Sequence, residues 1–171
     1  MSLSLYELVP AAGQAEAAIK AFDDAVVAAG GELIESQVTS GAQRVFAIAE
    51  FNACRAAQLE AANLDVAEVV GPNEVRLVGA DLDQIKAARP TAGYLVEWDI
   101  PDTIDMETYL ARKKANSPKY ADVPEVSFLR TYVREDMDKC LCFYNAPDED
   151  AVVRAREVVS TPIDRIHSLE G

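Results

Sequence analysis

At 171 residues, half of them hydrophobic, the chain is long enough to bury an apolar core without disulfide or metal staples. Its longest apolar runs fall short of the ~20 residues a membrane helix needs, and a formal net charge of −13 sets up a field that repels phosphate backbones and anionic lipid surfaces. Neither nucleic acid nor a membrane is expected as a partner, and three cysteines, an odd and sparse set, point to a soluble protein of the reducing cytoplasm.

Ser4 to Val9 is a short β-prone run closed by Pro10. From Gln14 to Ala29, apolar residues at Ala18, Phe22 and Val26 recur at helical spacing, and Gly30-Gly31 supplies a C-terminal stop. Two β-prone runs follow, Glu32 to Thr39 and Gln43 to Phe51, joined through Gly41. Asn52 then caps an alanine-rich helix reaching Ala62, and Glu74 to Val78 is a last strand. The order is β-α-β-β-α-β, and it returns from Tyr94. Tyr94 to Ile100 reads as a strand, Ile104 to Ala115 as a helix, and Val126 to Arg134 with Lys139 to Asn145 as a strand pair. Asp148 caps the next helix, and Pro162 to Leu169 closes the unit.

The predicted fold class is therefore α+β: two ferredoxin-like βαββαβ halves, residues 4–80 and 92–169, joined by a linker at 81–91 and fused into a dimeric α+β barrel-like arrangement. Each half leaves one sheet face without helices, and two halves can cover one another. The expected state is a monomer that is an internal pseudo-dimer, or a homodimer, with a ligand cavity between the sheets.

Side chains alternate across a strand. Counted that way, Leu129, Thr131, Val133, Leu141 and Phe143 pack under helices, while Phe128, Arg130, Tyr132, Cys140, Cys142 and Tyr144 join Leu95, Glu97 and Asp99 on the open face. Glu97 with Arg130 reads either as a structural ion pair or as an anion clamp assisted by Tyr132. Cys140 and Cys142 stand about 6.6 Å apart in Cα with parallel side chains, which suits small buried hydrophobes better than a disulfide. Cys54 is read the same way. His167, the single histidine, needs cysteine or carboxylate partners such as Cys142 to form a metal site. The acidic starts at Asp102 to Glu107 and Asp148 to Asp150 read as capping turns, and residues 116–123 as a lid or a plain loop. No GxGxxG, Walker A or CxxC sequence occurs, so no nucleotide cofactor is expected.

The segments Tyr94-Leu-Val-Glu-Trp-Asp-Ile-Pro101, Phe128-Leu-Arg-Thr-Tyr-Val133, Cys140-Leu-Cys-Phe-Tyr144, Ala146-Pro-Asp-Glu149 and Pro162-Ile-Asp-Arg-Ile166 resemble the bacterial domain of unknown function family 4242. That resemblance, over the C-terminal half, implies a ferredoxin-like fold, nickel or another divalent metal as a cofactor, and characteristic positions at Glu97, Arg130, Tyr132, Cys142 and Asp164. The chain departs from the family pattern at Ala155, where that pattern has a histidine. Three functions follow as expectations. The first is binding of a small molecule or metal ion, the second a cofactor-independent or haem-handling oxygenase or isomerase relying on His167, and the third a structural or partner-binding module.

Overall fold

The computed structural model describes residues 2–51, 64, 66–88 and 92–170. The strands are β1 (Ser2–Pro10), β2 (Glu32–Val38), β3 (Val45–Phe51), β4 (Val66–Val78), β5 (Tyr94–Asp99), β6 (Ser127–Arg134), β7 (Lys139–Asn145) and β8 (Arg165–Ser168). The α-helices among the described residues are α1 (Ala15–Ala28), α2 (Leu82–Ala88), α3 (Met106–Asn116) and α4 (Glu149–Val158). The helix predicted at 52–62, with Cys54, lies outside the described residues. No helix among them is long and apolar enough to cross a membrane.

The chain divides into two compact units, Met1–Val75 with Asp81–Thr91 and Glu170, and Arg76–Ala80 with Ala92–Leu169 and Gly171. Strand order is β2-β3-β1-β4 in the first and β6-β7-β5-β8 in the second. Their pairing is antiparallel wherever its register is defined. Two departures from the sequence reading stand out. β4 begins at Val66 rather than Glu74, and the segment read as a linker contains α2.

The helix stops are built from backbone hydrogen bonds. After α1, Gly31 N–H donates to Val26 O at 2.9 Å and Gly30 N–H to Val27 O at 3.0 Å, the paired bonds of a Schellman turn. Gly30 has φ +85°, which glycine adopts without strain. The same turn ends α4, where Thr161 N–H donates to Arg156 O and Ser160 N–H to Glu157 O. There the left-handed residue is Ser160, at φ +57°. In the first unit, α1 buries Phe22 and Val26 on its sheet, Phe22 meeting Tyr6 edge-to-face at 4.9 Å; each such side chain contributes about 2 kcal/mol.

In the second unit α3 and α4 cover one face of the sheet. Val96, Trp98, Val133, Cys140, Cys142 and Tyr144 point into that layer with Tyr109 of α3 and Val152 and Ala155 of α4. Asp105 and Asp148 cap the two helices, accepting from Thr108 N and Ala151 N at 2.8 Å each. Residues Ser117–Asp122, read as a lid or loop, form a 3-10 helix continuing from α3.

Candidate functional site

The two faces presented by β6-β7-β5-β8 carry different chemistry. On the face opposite α3 and α4, the buried Glu97 carboxylate is surrounded by nitrogen groups of three basic side chains. Lys139 Nζ donates to Oε1 at 2.7 Å, Arg165 Nε donates to Oε2 at 3.0 Å, and His167 Nε2 lies 2.7 Å from the same oxygen. Burial alone would raise the Glu97 pKa, but the hydrogen bonds from His167, Lys139 and Arg165 outweigh it and bring the group down to about 2. Arg165 also grips Asp99 with both terminal nitrogens, at 3.1 and 2.5 Å. This array holds β5, β7 and β8 together and saturates its own carboxylate, so its chemistry is that of a structural ion network.

Arg130 and Tyr132 lie on this face with Glu97. The Arg130 guanidinium sits 4.8 Å over the Phe143 ring, which Tyr132 meets edge-on at 5.9 Å. Asp164 is exposed and accepts from Asp99 N at 2.6 Å, fastening the entry of β8 to β5. Cys142 is not part of the group. Thr131 and Val96 are its register partners, so it points to the helix layer, as do Cys140 and Tyr144. The open-face placement of these three is therefore corrected, and with it that of Phe128. A bulge between Phe128 and Arg130 turns Phe128 toward Tyr144, their rings 5.7 Å apart. Cys142 and His167 accordingly occupy opposite faces, since Leu95 is opposite His167 and Val96 opposite Cys142.

The helix-side face holds a second polar group that the sequence reading did not assemble. Arg156 of α4 is 2 % exposed. Its Nη1 donates to Cys142 Sγ at 3.4 Å and to Tyr144 Oη at 3.1 Å, and its Nη2 to Pro162 O at 2.6 Å. Its buried Nε has no hydrogen-bond acceptor among the described residues. Cys142 also receives the Thr131 hydroxyl at 3.3 Å and lies 4.0 Å from Cys140 Sγ. The contact with Cys140, followed by the charges of Lys113 and Arg156, brings the Cys142 thiol well below its ordinary pKa despite burial. Cys140 moves the opposite way, raised by its bond to Cys142 and by burial. The two thiols are thus driven in opposite directions, and the one brought down, Cys142, is the one that faces the Arg156 guanidinium.

Beside this group a pocket of about 350 Å3, counted to its open mouth, is lined by Trp98, Tyr109, Tyr120, Arg112, Lys113 and Arg156 among others. Arg112 lies 5.5 Å over the Trp98 ring and donates to Ser160 O at 2.7 Å. Lys113 Nζ sits 4.4 Å over Phe128. Neither is ion-paired to a carboxylate among the described residues. Tyr120 stacks on Phe128 at 5.4 Å and shares a 2.6 Å hydroxyl contact with Tyr144; burial raises its pKa to about 12, so it remains a neutral phenol at physiological pH. The arrangement offers hydrogen-bond donors, positive charge and aromatic walls in one concavity, the composition of a small-molecule site. Its signal was present in the sequence, because Val152, Arg156 and Val159 fall at four- and three-residue spacing on one helical face.

A metal shell is a different matter. Among the described residues no three His, Cys, Asp or Glu side chains converge for an ion. Cys142 is already paired with a cation that would repel a metal, and His167 Nε2 is engaged by Glu97.

Residues 94–169, less than half of the chain, match the family described as nickel responsive protein SCO4226-like. No curated protein matches the chain. Among solved structures it is similar to TA0507, provisionally described as a chlorite dismutase, at 14 % identity and TM-score 0.56 over 100 % of this chain and 96 % of that one. It is also similar to a Lactobacillus acidophilus NCFM protein provisionally described as a monooxygenase, at 13 % identity and TM-score 0.53 over 99 % and 92 %. A Fusobacterium nucleatum protein with the same provisional description, at 13 % identity and TM-score 0.50, covers 98 % and 90 %. At these identities the likeness shows fold and not activity. It bears out the expected fold class, α+β of the dimeric α+β barrel type.

Proposed function

We propose that this chain is a small-molecule-binding protein of the cytoplasm whose site is the helix-side pocket of the second unit, and that this unit is of the domain of unknown function 4242 kind. The observation that carries the reading is Arg156, a buried guanidinium lining the pocket with one donor unmatched. A buried polar group without a partner costs roughly 1–3 kcal/mol, a cost that a ligand acceptor would offset. The family description supports a binding role, and the nickel in it is carried over no further, because the donors described do not form a shell for that ion. Haem chemistry, raised by the chlorite dismutase likeness, would need the single histidine, whose Nε2 is held by a buried carboxylate, so no step is assigned to it.

Trp98 is the only tryptophan and lines the pocket, so its emission reports occupancy. Benzoate and benzamide, titrated separately, test the reading with Thr161→Tyr, a rim substitution that fills the space. The expected result is a saturable one-to-one change with at least one probe, abolished in the variant. Unchanged emission with both, or a response surviving Thr161→Tyr, would remove the pocket as the site. Nickel titrated alongside is expected to leave Trp98 unaffected.

A further inference from the structure

We infer that the pocket selects a small aromatic carboxylate, its ring between the aromatic walls and its anionic end among Arg112, Lys113 and Arg156. This rests on the pocket being the ligand site and adds the class of ligand. Three cations around one concavity are unusual in a chain with net charge −13, where most basic side chains have carboxylates to hand. Arg156 is matched locally by the Cys142 sulfur, whereas Arg112 and Lys113 are engaged by a carbonyl and by ring faces and have no carboxylate partner among the described residues. Mutual repulsion of like charges at this range favours an anion over a neutral guest. Trp98, Tyr109 and Tyr120 supply flat apolar surface beside the three cations. A single ring bearing one carboxylate matches that surface and charge together.

The test compares benzoate, benzamide, cyclohexanecarboxylate and inorganic phosphate on the intact protein, read by Trp98 emission and confirmed by calorimetry. Because truncating a buried Arg156 can unfold the layer, the charge variants are Arg112→Gln and Lys113→Met at half-buried positions. Benzoate is expected to bind roughly tenfold or more tighter than benzamide, a ratio that a charge-assisted hydrogen bond supplies. Each variant should shrink that ratio severalfold. Added salt should weaken benzoate only. Benzamide binding as well as benzoate would overturn the carboxylate assignment while the pocket reading stands. Phosphate or cyclohexanecarboxylate matching benzoate would overturn the aromatic part. Failure of all four probes would remove the pocket reading itself.

Discussion

Glu97 shows how a single buried acid organises its surroundings. Its carboxyl titrates near 2 in the folded chain against an ordinary 4.5, so the unfolded state binds the proton more readily. The stability it contributes is fully present above about pH 4.5 and is lost as pH falls towards 2. Glu97→Gln is expected to cost on the order of 3 kcal/mol at neutral pH, since it leaves Lys139 and Arg165 facing a neutral amide. Denaturant melts between pH 2 and 5 should show the steep acid limb of the parent flattened in the variant. The cysteine pair gives a second expectation: thiolate ultraviolet absorbance that appears at a pH below the ordinary thiol range, is lost in Cys142→Ser, and moves to higher pH in Cys140→Ala, because the contact with Cys140 is the leading cause of the lowered Cys142 pKa. Absorbance that survives Cys142→Ser would reassign the charge. At this scale the sequence was read half correctly. Glu97, Arg130 and Tyr132 do share a face, but residues on neighbouring strands share a face only as their register dictates, and the β6–β7 turn pairs Thr131 with Cys142 and Tyr132 with Leu141. Parity along one strand says nothing about that register, so Cys142 was placed on the wrong side.

Elements end where their chemistry ends. Asp148→Ala should lower stability by about 1 kcal/mol through loss of the cap on α4, seen as a lower melting temperature with an unchanged denaturant slope. Ser160→Gly, at the left-handed turn that closes the same helix, is expected to raise stability by roughly 0.5–1 kcal/mol, because glycine removes the Cβ strain of positive φ. Loss of stability in that variant would mean that the Ser160 side chain does more than tolerate the turn. Gly71 is the opposite case, for a Cβ there would stand 2.5 Å from Leu5 O at φ +127°, and Gly71→Ala should be poorly tolerated. Helix starts and strand cores were legible because caps and apolar spacing are local signals. The early start of β4 was not, since Gly71-Pro72 breaks the valine-rich run from Val66 as a turn would, and pairing with β1 over Leu3 to Pro10 carries the strand through it.

Over the whole molecule, repetition carried the fold assignment. The order βαββαβ appearing twice was enough to expect a barrel-type α+β chain, and similarity to solved structures over nearly its full length agrees. The net charge of −13 brings a separate consequence: raising ionic strength from ~10 to ~150 mM should increase the melting temperature by screening self-repulsion, whereas benzoate affinity should fall. A melting temperature that falls with salt would show that specific ion pairs outweigh the general field.

The two units also trade short pieces of backbone. Arg76–Ala80 belongs with the second, where Arg76 reaches Glu135 at 2.9 Å, while Asp81–Thr91 belongs with the first, where Lys86 bonds Glu50 at 2.7 Å. A single hydrolysed bond between residues 80 and 81 would give each fragment a part that completes the other. Nicked protein should therefore behave in gel filtration as one particle, reconstituting by complementation much as a split reporter does.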